Sequence, residues 1–368
     1  MKEFDIKFMK IAIREAKKGL GKTSPNPAVG AVIVKEGKIL SKGYHKKAGL
    51  PHAEIEALKK IGWKAEGATL YVTLEPCNHW GRTPPCTEAI LKSGIKRVVI
   101  GMKDPNPHVK GGGAEFLKER GIEVEVGILE DECYRLNEHY VKFIKTHLPF
   151  VAVKVAMTLD GWIATATKDS KWITNERSRR FVHRLRSISD AVLVGIDTVI
   201  SDNPLLTVRH VKGKDPVRII LDSRLRIPED ANVIRKCPSN TVIVAAKDFV
   251  SEEKAKRFEE KTGANVLLCR TKNGKIDLKE LLFILGKKDI MFLLVEGGSK
   301  VIGSFINEGL VDKFFIFFAP KILGGSDGIP MAYGKGPCRI RDSLSLTDVK
   351  VRRFMEDILI EGYPKKTN

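Results

Sequence analysis

The stretch Pro76-Cys77-Asn78-His79-Trp80-Gly81-Arg82-Thr83-Pro84-Pro85-Cys86, with His52-Ala53-Glu54 upstream of it, decides how this chain is read. Zinc prefers four ligands of nitrogen and sulfur type, and a catalytic zinc keeps one place for water. His52, Cys77 and Cys86 supply three ligands. A water held in the fourth place has its pKa lowered to about 7, which makes a nucleophile at neutral pH. Glu54 stands two residues beyond the histidine. Positions i and i+2 diverge inside a helix, so both side chains reach one metal only where a helix begins. Gly49-Leu50-Pro51 suits such a start. Cys86 precedes a second helix, whose N-terminus favours the thiolate that a metal needs. Glu54 is then the base that takes a proton from water and delivers it to a leaving amine. A structural zinc with His79 as fourth ligand would leave Glu54 without a task.

Around this stretch, strands and helices alternate. Ala28–Lys35 and Lys38–Tyr44 predict a hairpin, followed by a helix over 52–61 and strands over 68–74, 97–101 and 122–126. Helices are predicted over 87–93 and 113–120, and one longer helix over 130–146 closes the first half. Gly111–Gly113 reads as a turn. The N-terminal segment predicts an amphipathic helix with Phe4, Phe8 and Ile11 on its apolar face. Leu148-Pro149 marks a boundary, since proline ends the preceding helix and a new strand starts at Phe150. The second half alternates again and ends in a hairpin over 349–363. The pattern is α/β, with sheets covered on both faces.

The H-x-E and P-C arrangement resembles the cytidine-deaminase superfamily, whose usual signature is H-x-E followed by P-C-x-x-C. Here Asn78–Pro85 separates the two cysteines. That spacing departs from cytidine and tRNA-adenosine deaminases and resembles the pyrimidine deaminase of riboflavin biosynthesis, with its P-C-N-H-x-G-R-T-P-P-C segment. Ser24-Pro25-Asn26-Pro27-Ala28-Val29-Gly30 is similar to a segment at that family's deaminase pocket, which places Asn26 on the substrate. His45, Asp104 and Asn106 (in Asp104-Pro105-Asn106-Pro107-His108) fall in similar family segments.

In the second half the usual dinucleotide fingerprint G-x-G-x-x-G is missing. Leu293–Ser299 instead joins a buried strand to a helix start, where backbone amides suit a diphosphate. Lys154–Gly161, Ser170–Thr174, Arg186, Val194–Thr198 and Asp202–Arg209 look like the reductase domain of the same bifunctional family. The resemblance spans about residues 4–360. It implies a cytidine-deaminase-like three-layer domain over 1–147 and a dihydrofolate-reductase-like domain over 149–368. It implies zinc and NADPH as cofactors. It also implies hydrolytic deamination of 2,5-diamino-6-(5-phosphoribosylamino)pyrimidin-4-one, then reduction of the ribosyl group to ribityl. Ala156, Trp172, Thr198, Asp202 and the loop Gly298, Ser299, Lys300, Val301, Ile302, Gly303, Ser304 would face NADPH. Ser170, Arg186, Leu206, Arg209 and Glu296 would face the phosphoribosyl substrate, the two arginines as phosphate forks. Asp222-Ser223-Arg224 is a candidate for the 2′-phosphate. Lys154, odd in an apolar strand, is either an edge residue or a substrate contact. Lys154, Asp202 and Glu296 are candidates for the proton donor of the reduction.

At 368 residues the chain has room for two domains, and a hydrophobic content of 43% with 30% charged residues fits a globular protein. A net charge of +19 attracts polyanions, but the lysines are interleaved with glutamates, as over Lys247–Lys261, and not gathered in one arm. The expectation is a small-molecule enzyme with no nucleic-acid or membrane partner. The thin cysteine usage and the N-terminus suggest a cytoplasmic protein, and the family commonly self-associates. Cys133, Cys237, Cys269 and Cys338 read as small buried hydrophobes.

Overall fold

His147 closes a helix in the left-handed conformation (φ 56°), its N–H donating to the Phe143 carbonyl at 2.7 Å. There the computed structural model divides into two units, Met1–His147 and Leu148–Asn368. It describes residues 2–80, 84–106 and 112–365. Gly81, Arg82 and Thr83 of the cysteine segment, Pro107 and His108, and Gly111 lie outside the described residues.

The first unit comprises α1 (Lys2–Ala16), β1 (Gly30–Lys35), β2 (Lys38–Tyr44), α2 (Ala53–Lys59), β3 (Thr69–Leu74), α3 (Cys86–Lys92), β4 (Arg97–Met102), α4 (Gly113–Glu119), β5 (Glu123–Val126), α5 (Glu130–Leu136) and α6 (Glu138–Thr146). Its sheet has the order β2-β1-β3-β4-β5, with β1 antiparallel to both neighbours and β3, β4 and β5 parallel. Two glycines show how helices reach both faces. Gly30 lies against Ala12 and Ala16 of α1, while Gly43, which pairs with the next residue Ala31, lies against Ala53 and Ala57 of α2. Adjacent strand residues point to opposite faces, so the unit is three layers deep. Ala31, Ile33, Leu70, Val72, Val98 and Ile100 form the core beneath α2, α3 and α4.

Three expectations are corrected here. The helix over 130–146 is two helices, because the buried Asn137 side chain leaves the helical pattern to clamp Ala28. It accepts the Ala28 N–H at 2.8 Å and donates to the Ala28 carbonyl at 2.9 Å. The buried face of α1 runs through Phe8, Met9, Ala12, Ile13 and Ala16, with Phe4 exposed. The face is rotated because Asp5 turns inward, accepting from Arg97 at 2.7 Å and from the Tyr71 hydroxyl at 2.9 Å. Among the isolated cysteines Cys133 and Cys269 are buried, but Cys237 is half-buried and Cys338 exposed.

The second unit comprises β6 (Phe150–Thr158), β7 (Trp162–Ala164), α7 (Glu176–Ile188), β8 (Ala191–Gly195), α8 (Ile196–Asp202), β9 (Val217–Leu221), α9 (Asn232–Arg235), β10 (Thr241–Ala246), α10 (Glu252–Thr262), β11 (Asn265–Cys269), β12 (Thr271–Lys272), β13 (Lys275–Ile276), α11 (Leu278–Lys287), β14 (Phe292–Gly297), α12 (Ser299–Asn307), β15 (Lys313–Ala319), β16 (Ile329–Pro330), β17 (Leu346–Phe354) and β18 (Asp357–Pro364). Nine strands form one sheet in the order β11-β10-β9-β8-β14-β6-β15-β18-β17, parallel from β11 to β15, with β18 and β17 added antiparallel. Two small ribbons, β12 with β13 and β7 with β16, are not hydrogen-bonded into it. Apolar clusters cover both faces of the sheet's interior strands. Val151, Val153 and Val155 pack with α11 and α12 on one face, while Ala152 and Leu294 pack with Val182 and Leu185 of α7 on the other. Among the described residues no helix is long and apolar enough to cross a membrane.

Candidate active sites

In the first unit two helix starts and one strand end converge. His52 is the N-cap of α2 in extended conformation (φ −70°, ψ 167°), so its side chain and that of Glu54 can turn the same way. Cys86 opens α3 after Pro85, and Cys77 follows the end of β3 through Glu75-Pro76. The His52 ring nitrogen Nδ1 lies 3.3 Å from Cys86 Sγ and 3.5 Å from Cys77 Sγ, and the three ligand atoms all fall within 4.8 Å of one another. Nitrogen and sulfur ligands of a tetrahedral zinc stand roughly 3.6 Å apart, given bonds of about 2.1 and 2.3 Å. The donor set and its spacing therefore fit zinc. Among the described residues His79 is not in the cluster.

The three ligand groups and Glu54 shift one another's proton affinities. The Cys86 thiol donating to Cys77 holds the Cys77 sulfur well below the usual thiol range, with His52 adding to the effect. Cys86, sharing that proton and buried, is pushed up. His52 is raised to about 9, chiefly by its hydrogen bond to Cys77. Glu54 is only 3% exposed, burial pushes its carboxyl up, and its Oε2 has no hydrogen-bond partner among the described residues. An orphaned buried carboxylate oxygen costs free energy unless something occupies the space before it.

Asn26 and His45 join this cluster. The His45 ring stands edge-on to His52 with centroids 5.3 Å apart. His45 Nδ1 lies 3.1 Å from the Pro51 carbonyl, which accepts only, so Nδ1 carries the proton and Nε2 accepts from Asn26 Nδ2 at 3.1 Å. Among the described residues no donor meets the Asn26 carbonyl oxygen, which can accept from a ligand. Asp104 is held by other groups: its Oδ1 accepts from the Tyr140 hydroxyl at 3.1 Å and from the Asn106 N–H at 3.0 Å, and burial raises its pKa. Its own N–H donates to buried Glu75, whose other oxygen accepts from Ala114.

In the second unit a cavity of 1160 Å³ lies along the C-terminal ends of β6, β14, β8 and β9, where open parallel sheets bind ligands. It gathers nearly all the residues expected there. Lys154, Ala156, Ser170 and Trp172 line it, as do Arg186, Thr198, Asp202, Leu206, Arg209, Ser223 and Glu296. Gly298, Ser299, Lys300, Val301, Ile302 and Ser304 line it from the start of α12, but Gly303 does not. A Cβ on Gly303 would stand 2.0 Å from the Tyr333 carbonyl oxygen, so this glycine serves close packing on the far side of the helix. Gly298, at φ 79°, makes the turn from β14 into α12.

Glu296 reaches the cavity through a β-bulge. The register of β14 on β8 shifts between Val295 and Gly297, which turns the intervening side chain toward the ligand space. Both its oxygens accept from Arg186, from Nε at 2.5 Å and from a terminal nitrogen at 2.9 Å, and Arg186 also donates to the Thr207 carbonyl at 3.1 Å. Arg186 is thus oriented by Glu296 and Thr207, which engage three of its five N–H donors, and it still lines the cavity where a phosphate fork was expected. Burial alone would raise Glu296, but Arg186 outweighs it and keeps the carboxyl ionised. Arg209 has no carboxylate pair among the described residues. Burial and the nearby Arg186 lower its pKa, and its terminal nitrogen donates to Thr207 Oγ1 at 2.7 Å. Lys154 lies on β6 between β14 and β15, so the edge-strand reading is corrected too. Burial lowers its pKa, and Glu296 partly restores it. Trp172, 62% exposed, is backed by the Arg179 guanidinium 4.5 Å from its ring centre.

Other residues line the cavity without belonging to any of the sequence motifs. His183 accepts the Arg209 backbone N–H on Nδ1 at 2.9 Å, and burial with the surrounding cations lowers it to about 4. Nothing in its helical context marks it. Lys272, Asn273 and Lys275 also line the cavity, and the Asn273-Gly274 dipeptide is a hairpin signal that could have found them.

A family model for the cytidine and deoxycytidylate deaminase zinc-binding region matches residues 2–102, and one for the RibD C-terminal domain matches residues 149–360. The chain is 49% identical over 361 residues to the riboflavin biosynthesis protein RibD of Aquifex aeolicus, covering 98% of each. To RibD of Escherichia coli it is 38% identical over 362 residues, covering 95% of each. Among solved structures, a Thermotoga maritima diaminohydroxyphosphoribosylaminopyrimidine deaminase/5-amino-6-(5-phosphoribosylamino)uracil reductase superimposes with a TM-score of 0.85 at 40% identity, over 99% of both chains. Acinetobacter baumannii RibD, form 1, gives 0.87 at 39% identity over 100% of both. A zinc-binding deaminase region ahead of a RibD reductase domain implies zinc in the first unit and NADPH in the second. With matches that run the length of both units, the chain belongs to the RibD family of riboflavin biosynthesis proteins and is a bifunctional deaminase and reductase.

Proposed function

We propose that His52, Cys77 and Cys86 hold the zinc and that Glu54 is the catalytic carboxylate for hydrolysis of 2,5-diamino-6-(5-phosphoribosylamino)pyrimidin-4-one. Bound zinc supplies Lewis acidity and an activated water. A carbon–oxygen bond forms at the ring carbon, the carbon–nitrogen bond breaks, and ammonia leaves. Glu54 carries the proton from the attacking water to the departing nitrogen. A carboxyl raised by burial suits that task, because it can hold the proton between the two transfers. Asn26, oriented by His45, accepts an N–H of the pyrimidine.

The second unit then reduces the ribosyl group to ribityl. NADPH supplies the hydride. The start of α12 binds its diphosphate through backbone N–H groups, with Ala156, Trp172, Thr198 and Asp202 beside the nicotinamide half. Ser170, Leu206 and Arg209 hold the phosphoribosyl group, with Arg209 as the cation for its phosphate. The proton donor is Lys154. Glu296 is held as a carboxylate by Arg186 and has no proton to give, whereas the Lys154 ammonium faces the cavity with its pKa lowered.

The chain acts on small molecules, and we read it as a cytoplasmic homo-oligomer without a nucleic-acid or membrane partner. Its six cysteines are free, in keeping with a reducing compartment. Surface cations pair with neighbouring acids, as Lys261 does with Glu229 and Arg257 with Glu253, which favours a solvated surface over a polynucleotide face. The edge strand β17 exposes Val349 and Val351, which supports association along that edge.

The observation that carries the deaminase reading is the Glu54 oxygen, unpartnered among the described residues, beside three converging ligand atoms. The test is Glu54→Gln. Ammonia release from the diamino substrate should fall by about 10²–10⁴-fold, with one zinc retained per chain and NADPH oxidation on the deaminated substrate intact. Undiminished ammonia release would refute the assignment.

A further inference from the structure

A dinucleotide whose diphosphate sits at the start of α12, after β14, has its adenosine carried outward along the sheet. Away from Lys154 and β6 the order runs β14-β8-β9-β10-β11. The cavity extends that way, to Ser223 beyond the end of β9 and to Lys272, Asn273 and Lys275 of the β12–β13 ribbon. The ribbon packs against β10. The adenosine end of the ligand therefore arrives at this ribbon.

The charges at that end are unequal in what they can still do. Asp222, at the end of β9, stands where an acid would favour a free ribose hydroxyl. Its carboxylate is instead buried, Oδ2 accepting the N–H groups of Arg226 at 2.5 Å and Ile227 at 2.8 Å. Arg224 does not line the cavity, and its guanidinium lies 4.5 Å from the Phe249 ring centre. Lys300 is paired with Asp197 at 3.4 Å. Lys272 and Lys275 remain, and neither has an ion-pair partner among the described residues.

The two lysines are also opposed. They are Cα partners across the Asn273-Gly274 turn, whose φ angles of 52° and 73° give the tight two-residue hairpin. Directly opposed like charges destabilise a ribbon, and both of these residues border the cavity. An anion held between them turns that repulsion into two charge-assisted contacts.

We propose that Lys272 and Lys275, with the Ser223 hydroxyl, form the subsite for the 2′-phosphate that distinguishes NADPH from NADH. This rests on reading the second unit as an NADPH-dependent reductase. The test is calorimetric titration of the full chain with NADP⁺ and NAD⁺ as probes, comparing the parent protein with Lys272→Gln/Lys275→Gln. The parent should prefer NADP⁺. The double variant should lose about tenfold in NADP⁺ affinity per lysine while NAD⁺ affinity stays within about twofold. The salt dependence of NADP⁺ binding should become shallower. Unchanged NADP⁺ affinity in the variant, or equal losses for both coenzymes, would overturn the subsite while leaving the reductase reading intact. A parent protein that binds neither coenzyme would overturn the reductase reading and the subsite with it.

Discussion

Adding one methyl group at Gly43 should disable the deaminase without touching a ligand. Gly43 lies on β2 beneath α2, and a Cβ there would stand 2.2 Å from the Ala53 carbonyl oxygen and 2.6 Å from the Ala57 nitrogen. Both obstacles are backbone atoms, so no rotamer change relieves the clash. Restoring an ordinary contact of about 3.3 Å requires α2 to retreat by about 1 Å. Ala53 sits between His52 and Glu54, so metal ligand and base retreat with it. The strain should cost about 1–3 kcal/mol. The loss in reaction rate should be larger, because a displacement of about 1 Å in a catalytic group costs on the order of 10²-fold. The assay pairs zinc affinity, by competition with a chromogenic chelator, with ammonia release from the diamino substrate, and uses NADP⁺ titration as a control on the second unit. Gly43→Ala should lose zinc affinity and ammonia release together and keep NADP⁺ binding. Parental zinc affinity and ammonia release in this variant would show that α2 placement does not govern the site.

Three further outcomes can be checked. Lys154→Met should abolish NADPH oxidation with the deaminated substrate yet leave NADP⁺ binding by calorimetry within about twofold, since the side chain gives a proton and not coenzyme affinity. Arg209→Gln should raise KM for the phosphorylated substrate by about tenfold or more while leaving a dephosphorylated analogue unaffected, as expected when one charged hydrogen bond to phosphate is removed. Asp5 is pulled up by burial, but Arg97 and Tyr71 outweigh this and leave its pKa below the ordinary carboxylate value. Its contribution is therefore present above the unfolded-state pKa of about 4 and fades as pH falls through the lower folded value. Hydrogen exchange in α1 should accelerate over that acid window, and Asp5→Asn should flatten the dependence while weakening the helix at neutral pH.

The zinc cluster was legible because its chemistry is local. Two residue types at helix starts and a Pro-Cys at a strand end fix a donor set before any tertiary contact is known. The alternation of elements was legible for a similar reason, as each strand and helix declares its own period. What the sequence hid depends on partners distant along the chain. Asn137 breaks a helix because Ala28, far upstream, needs both of its backbone groups satisfied. Arg186 reads as a phosphate fork, and nothing near it in sequence announces the pair it makes with Glu296. Gly303 reads as part of a glycine-rich ligand loop, yet its missing side chain makes room for Tyr333. Lys154 reads as either an edge residue or a substrate contact until strand order puts it in the middle of the sheet.

The bulge at Glu296 means that β14 carries one residue more than β8 can match. That extra residue adds nothing to the ladder; its work is done in the ligand space, against Arg186 and near Lys154. The number of residues in the strand thus matters as much as their kind. Excising position 296 would mend the pairing of the two strands while stranding a buried guanidinium, giving a sheet more regular than the parent and a reductase pocket that no longer works.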